Sequence, residues 1–399
     1  MPDTASRRRW AICALLFAAT FLNYLDREVL SVVSPVLRLQ FNLTATAYSH
    51  LLTAFLLGYT AFQAYVGHVI DWTGARRGLL LAMLWWSGAG LLAALARGPY
   101  QLGACLFLMG VGESANWPAS VKTTQQWFAP KQRGIAVAIF NCGSAAGAVA
   151  APIVITVLAL RYSWRVAFAA SGALGLLWVA PWLIAFRQER GASTLSAGRT
   201  SSWFDTLRKR NTLALMGARF LADPLWIFFV FWLPDYLSRS RHFSMARIGA
   251  TAWLPFLTAG LGNLAGGTLS SSLMHRGLPA RTARLRVMTA SAVVMLAGIG
   301  ISFLSSPAMM LGTISLITFA YSCWAANVLT LPADLFHGNE IASVIGLTGT
   351  AAGCGSMLVM LLVGILVDHV SYRPVLIGIS CMPIFALLCA LLTRSEEDI

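Results

Sequence analysis

Polar residues are scarce along this chain and come in short clusters, between which the side chains stay apolar over long runs. A run of about 20 apolar residues crosses ~30 Å of hydrocarbon as an α-helix. The runs predict twelve transmembrane helices, over residues 10–33, 47–70, 78–96, 99–122, 134–160, 164–187, 211–238, 246–274, 287–304, 307–331, 341–367 and 372–393. One polar interruption, from Arg187 to Arg210, is longer than the rest, and its Gly, Ser, Thr and charged residues read as a flexible linker. It divides the chain into an N-terminal six-helix bundle (1–187), a cytoplasmic linker (188–210) and a C-terminal six-helix bundle (211–399). The expected fold class is an all-α polytopic membrane protein.

Composition supports this reading. The 399 residues are 57% hydrophobic and 11% charged, whereas a soluble domain carries about a quarter charged residues. The net charge of +14 raises nucleic acid as a partner. Most of the 29 Lys and Arg, however, fall in loops on one side of the predicted spans, which is topology information and not a binding footprint. No nucleic acid is expected. With an even number of spans and Arg7-Arg8-Arg9 ahead of the first, both termini are placed in the cytoplasm. The first run is too long for a secretory signal and contains Asp26 and Arg27, so it reads as a retained helix. The seven cysteines sit in apolar runs without metal-ligand or CxxC spacing and read as small packing residues. Nothing resembles a nucleotide loop, a metal cluster or a hydrolytic triad, so no enzyme activity, metal or cofactor is expected.

Internal repetition bears on the two halves. At an offset of 208, Phe128 matches Phe336, Gly147 matches Gly355 and Arg165 matches Arg373, with small residues corresponding between them. Parallel repeats of this kind build many secondary transporters, which hold substrate near the membrane midplane. After the second run comes Gly67, Asp71, Gly74, Arg76 and Arg77 in the pattern GxxxDxxGxRR. This suits a tight turn at the membrane surface: the glycines let helix ends approach, Asp71 caps or pairs, and the arginines hold the loop inside. A gate or structural role is the expectation here, not substrate contact.

The polar residues inside the runs are the candidate chemistry. An ionisable side chain at that depth costs ~2.5–3.5 kcal/mol or more, so it marks a site by default. Asn23, Tyr24 and Arg27 share one helical face, with Asp26 about a quarter-turn away and able to neutralise or release the arginine. Arg27 offers a flat bidentate donor pair for a substrate carboxylate; the other reading is a permanent ion pair with Asp26 or Glu28. Glu113 lies in the fourth run with Asn116 and Trp117 one turn on along its face. Desolvation there disfavours the charged form, so it titrates as a site opens; the alternative is a packing hydrogen bond to another helix. Arg219 and Asp223 stand one turn apart, as a substrate cation or as an internal salt bridge. Trp324 shares a face with Asn327, an arrangement able to stack on a sugar ring and bond its hydroxyls, or simply to pack.

These features together resemble the major facilitator superfamily. More closely, nearly the whole chain resembles the anion–cation symporter family, specifically bacterial hexuronate transporters. The likeness is carried by NYLDR at 23–27, GVGESANWPAS at 110–120, WFAPKQRGIAVAIFNCGSAAGA at 127–148, RFLADPLWIFFVFWLPDYL at 219–237, WAANVLTLPADLF at 324–336 and ASVIGLTGTAAGCGSML at 342–358. The resemblance implies twelve helices in two pseudo-symmetric halves, alternating access, an inner-membrane location and symport of a small organic anion, a sugar acid, with protons. It implies proton-coupling roles for Asp26 and Glu113, and substrate roles for Tyr24, Arg27, Asn141 and Ser144. A monomer is expected. The chain departs from the pattern at Leu106, where many relatives carry an arginine, at Tyr321-Ser322 for His-Gln, and at Gly260 for an aspartate. The first departure keeps open an organic anion exchanger or exporter without obligatory proton coupling.

Overall fold

The computed structural model describes residues 3–128, 130–186, 203–336 and 340–394. Among these residues every regular element is a helix. All twelve apolar runs are helical. The first is α1 (Asp3–Val32), continued beyond a break by α2 (Ser34–Gln40); the next two are α3 (Ala45–Thr73) and α4 (Ala75–Ala94). The fourth is split into α5 (Pro99–Glu113) and α6 (Asn116–Trp127), followed by α7 (Pro130–Arg161) and α8 (Trp164–Ala185). Residues 188–202 of the expected linker lie outside the described residues, and its remainder carries the short helix α9 (Trp203–Arg208). The chain goes on through α10 (Arg210–Arg241), α11 (Met245–Thr251), α12 (Leu254–His275) and α13 (Ala280–Met295), whose end winds into a 3-10 helix over Leu296–Phe303. It finishes with α14 (Pro307–Val328), α15 (Leu331–Leu335), α16 (Glu340–His369) and α17 (Tyr372–Leu391). Eight helical segments among the described residues are long and apolar enough to cross a membrane. In hydrocarbon the backbone must satisfy its own hydrogen bonds, which is why such runs are helical apart from short breaks.

Three of the expected continuous helices are interrupted, the first ends at a similar break, and proline gives the reason. Pro35, Pro118, Pro255 and Pro332 each fall in the first turn of α2, α6, α12 and α15. Proline has no N–H to offer the carbonyl four residues back and its ring crowds that carbonyl. The carbonyls affected are those of Ser31, Ser114, Thr251 and Val328, at or within a residue of where α1, α5, α11 and α14 end. At the second break Ser114 N–H still reaches the Gly110 carbonyl and Ala115 N–H the Gly112 carbonyl, so the chain turns tightly and restarts at Asn116. Glu113 therefore sits at a helix end, not in mid-helix.

The chain divides into two compact units. One comprises Met1–Leu43, His50–Leu195 and Leu237–Trp253; the other comprises Thr44–Ser49, Ser196–Tyr236 and Leu254–Ile399. Glycine sets the helix contacts within each. In the first, a Cβ on Gly143 or Gly147 of α7 would stand 2.3 Å from the carbonyl oxygen of Phe17 or Phe21 of α1. A Cβ on Gly58 of α3 or Gly110 of α5 would meet the partner helix's Phe107 or Phe55 carbonyl at 2.2 Å. In the second unit Gly355 of α16 meets the Phe220 carbonyl of α10 in the same way, and Gly262 of α12 that of Phe319 in α14. Such backbone-to-backbone approach is how membrane helices pack where water supplies no hydrophobic drive. Gly147 and Gly355, matched in sequence at an offset of 208, thus do the same work in their own units.

Substituting Gly147 by leucine should force α1 and α7 apart and destabilise the protein by ~1–3 kcal/mol or more. Gly88→Ala, where nothing lies within 4 Å of the new Cβ, should be neutral or slightly stabilising. Thermal unfolding in detergent, followed by size-exclusion chromatography, compares the two; equal midpoints would contradict the packing argument.

Candidate functional site

Arg27 and Glu113 meet in the first unit. The Arg27 guanidinium donates to Glu113 Oε2 through Nη2 at 3.1 Å and Nε at 3.3 Å. Nη2 also reaches Asn23 Oδ1, one helical turn back, at 3.5 Å. Helix periodicity puts Asn23 and Arg27 on one face, and the turn at Ser114–Ala115 presents Glu113 to it. Glu113 is 1% exposed. Taking one partner of a buried pair away strands the other, at ~3–5 kcal/mol, so the two hold each other in place.

Aromatic rings surround the cation. Its guanidinium carbon lies 5.0 Å from the ring centre of Tyr24, 5.4 Å from that of Phe55 and 4.8 Å from that of Tyr59. Each ring face contributes ~0.5–2 kcal/mol, more where water is excluded. Phe55 and Tyr59 come from α3, stacked on one another one turn apart. Sequence reasoning missed both, because an aromatic within an apolar run looks like any core residue; their i, i+4 spacing was the available signal.

Beside the pair opens a small cleft, partly open to solvent. Six of its lining residues were expected from the sequence: Asn23, Tyr24, Glu113, Asn116, Trp117 and Asn141. Three were not: Thr20, Tyr59 and Phe140. Asn116 Nδ2 donates to Thr20 Oγ1 at 3.3 Å, while Asn116 Oδ1, Asn23 Nδ2 and Glu113 Oε1 are buried with no hydrogen-bond partner. Trp117 stands edge-on to Phe140 and is 42% exposed. The cleft thus offers amide donors and acceptors, a hydroxyl and aromatic faces next to a cation held by a carboxylate. That donor set suits a small, hydroxylated anion.

Other expected site residues lie elsewhere or are engaged. Asp26 is not the partner of Arg27. Adjacent helix positions project about 100° apart, and its carboxylate, 2% exposed, lies towards Trp86 of α4 and Ser171 of α8, whose side chains are its polar neighbours. Ser144 donates its hydroxyl to the Asn141 carbonyl one turn back and does not line the cleft. In the second unit Arg219 donates to Asp223 Oδ2 through Nη2 at 2.7 Å and Nε at 3.2 Å. Asp223 Oδ1 also accepts from the Tyr321 hydroxyl, and Trp226 stacks parallel to Tyr321. Of the two readings of Arg219, the internal salt bridge is the one present. Trp324 and Asn327 are fully buried in that unit, with the Asn327 amide donating to the carbonyls of Gly266 and Cys323. They form no exposed sugar platform.

In the turn motif, Gly74 has φ +79°, a left-handed conformation that only glycine takes without strain, and it begins α4. Arg76 accepts the Trp182 indole N–H at its carbonyl and sets its guanidinium 5.9 Å from the Phe186 ring. Arg77 is exposed. The side chains at Gly67 and Asp71 lie outside the described ones.

Comparison with known proteins places this geometry in a family. The hexuronate transporter of Escherichia coli (strain K12) is 32% identical over 403 residues, covering 96% of this chain and 92% of that protein. The galacturonate transporter of Dickeya chrysanthemi is 31% identical over 278 residues, covering 65% of this chain and 80% of that one. Among solved structures, a bacterial homologue of the human lysosomal transporter Spinster, inward-facing and occupied, superposes with a TM-score of 0.77 at 18% identity, over 96% of each chain; that likeness concerns the fold alone. The sequence profile of the Major Facilitator Superfamily matches residues 16–353 and, in a second match, 277–399. The chain is a polytopic membrane protein that belongs to the Major Facilitator Superfamily.

Proposed function

We propose that this protein is a secondary active transporter that carries an organic monoanion of the sugar-acid class, a hexuronate, together with protons, by alternating access. The observation that carries the reading is the Arg27–Glu113 pair at the edge of a polar, aromatic-lined cleft. A guanidinium can face one carboxylate fully at a time. A proton taken by Glu113 frees Arg27 for the substrate carboxylate, and loss of that proton on the other side lets Glu113 reclaim Arg27 and expel the substrate. Asn23, Asn116, Asn141 and Thr20 are the partners for sugar hydroxyls, and Trp117, Tyr24 and Tyr59 the faces for the ring. Arg219, held by Asp223, is not the anchor in this conformation. Asp26, buried on α1 facing Trp86 of α4 and Ser171 of α8, is a second proton carrier.

The relatives named as hexuronate and galacturonate transporters support the substrate class. Leu106, 1% exposed, fills with an apolar side chain the place where the family resemblance leads one to expect an arginine. With one guanidinium free to bind, a monoanion is favoured over a dianion. The location proposed is a bacterial inner membrane, with both termini cytoplasmic, the halves 1–187 and 211–399 joined by the linker 188–210, and a monomer as the working unit. One proton per monoanion is electroneutral, whereas each further proton adds a charge worth ~2.3 kcal/mol per 100 mV.

Uptake of labelled glucuronate into proteoliposomes tests the coupling. Wild type should concentrate it under a pH gradient, and Glu113→Gln should lose uphill accumulation while keeping counterflow; a variant that still concentrates substrate would show the coupling role to be wrong. Wild-type counterflow with no accumulation under a gradient would mean an exchanger. Arg27→Gln should remove the glucuronate-induced thermal shift altogether, a loss of ~2–3 kcal/mol for a bidentate charged contact. A weakening of only a few-fold would move the anchor elsewhere.

A further inference from the structure

The second unit holds an amide that has no task in the reading above. Asn263 lies in the middle of α12 and is exposed. An exposed side chain on a membrane helix meets either lipid or water. The lipid stripe of α12 is marked by Leu257, Leu261 and Leu264, all exposed and projecting within about 60° of one another. Asn263 projects about 100° or more from each of them. It shares its side instead with Phe256, two turns earlier, whose ring meets Trp226 of α10 edge-on at 5.9 Å. A polar side chain at that depth belongs to a bundle interior or a water-filled cavity, and this one is not buried.

The neighbouring helix agrees. As consecutive spans, α10 and α12 run in opposite directions. Two turns on from Phe256, at Asn263, therefore corresponds to two turns back from Trp226, at Arg219. The side chains of Arg219 and its partner Asp223 keep 16% and 11% of their surface, so water reaches this level of the second unit.

The internal repeat gives the same placement by a separate route. In the first unit Gly58 meets the Phe107 carbonyl, and the next residue, Tyr59, lines the cleft. In the second unit Gly262 meets the Phe319 carbonyl, and the next residue is Asn263. Likewise Gly147 meets the Phe21 carbonyl and Gly355 that of Phe220. The residue before Phe21 is the cleft-lining Thr20, and the residue before Phe220 is Arg219. Asn263 and Arg219 thus hold, in their own unit, the register of two residues that line the cleft in the other. Arg219 gives two N–H groups to Asp223, so the pair adds no net charge to this side. What Asn263 adds is an amide, donor and acceptor at once, which matches a hydroxyl and not a carboxylate.

We propose that Asn263 is a substrate-binding residue carried by the second unit, which takes one hydroxyl of the sugar acid and so selects among hydroxyl patterns. The proposal rests on the transport reading above. The amide Nδ2 donates to the hydroxyl oxygen, or Oδ1 accepts the hydroxyl proton.

The test uses the full chain, with D-glucuronate and its monodeoxy derivatives competing against labelled glucuronate in proteoliposomes. Asn263→Leu should raise the KM for glucuronate by ~2–10-fold, the worth of one neutral hydrogen bond, with the ligand-free thermal midpoint not lowered. Removing the contacted hydroxyl should cost wild type a similar factor and cost Asn263→Leu nothing, because the two changes delete one contact. An unchanged KM, or the same penalty for every deoxy derivative in both proteins, overturns the role of Asn263 and leaves the transport reading standing. Asn263→Cys serves if the leucine variant does not fold. It should react with a charged, membrane-impermeant thiol reagent beyond the wild-type background, and glucuronate should slow that reaction. No added reactivity, or reactivity that glucuronate leaves unchanged, overturns the proposal. Wild-type protein that takes up no glucuronate overturns the hexuronate reading and this inference with it.

Discussion

A full positive charge inside an apolar helix bundle is the constraint to which the first unit is built. Arg27 cannot stay there alone, and the structure answers with one carboxylate and three aromatic faces. Each answer needs a helix brought close to another. Gly143 and Gly147 let α7 lie against α1, while Gly58 and Gly110 let α3 lie against α5. The second pair matters most for the site, since α3 brings Phe55 and Tyr59 and α5 brings Glu113. A larger side chain at either glycine would move rings and carboxylate away from the cation together.

Proline breaks act on the same groups. Without Pro118 the fourth run would continue straight through Ser114, and Glu113, Asn116 and Trp117 would follow one regular face. With it, the chain turns at Ser114–Ala115, and Glu113 faces Arg27 while Asn116 reaches Thr20 of α1. The ends of α1 and α5 lie within a few residues of the buried carboxyls Glu28 and Glu113. A broken helix within membrane depth is tolerated where protein covers it or where it lines a cavity. Here it stands beside the cleft, so backbone polarity adds to that of the side chains.

Much of this was legible in the sequence and some of it was not. The apolar runs mark where helices form, since a backbone in hydrocarbon has few alternatives. Arg27 and Glu113 stand out individually because charge at that depth is costly. Their pairing was not legible: the two lie 86 residues apart, and along α1 Asp26 is the nearer carboxylate in sequence although the helix turns it aside. Phe55 and Tyr59 carry no mark against a background of apolar residues. For Trp324 and Asn327 a shared face leaves both a sugar platform and plain packing open; the structure shows packing, with the face turned into the second unit and Asn327 serving backbone carbonyls. The four prolines were visible throughout; the break each imposes depends on the carbonyl four residues earlier, which a reading by hydropathy alone does not consult.

A single guanidinium also decides what kind of coupling the site can support. Glu113 and a substrate carboxylate carry the same charge and want the same donors. In a low-dielectric surround the site cannot hold both as anions, because the second negative charge would have no counter-ion and would be desolvated besides. On the transport reading, neutrality therefore ties one proton to each anion bound without any motion being specified. With Leu106 supplying no second cation, nothing relaxes that rule. On the same reading, any further proton has to ride on a carboxyl outside the exchange, such as the buried Asp26 of α1.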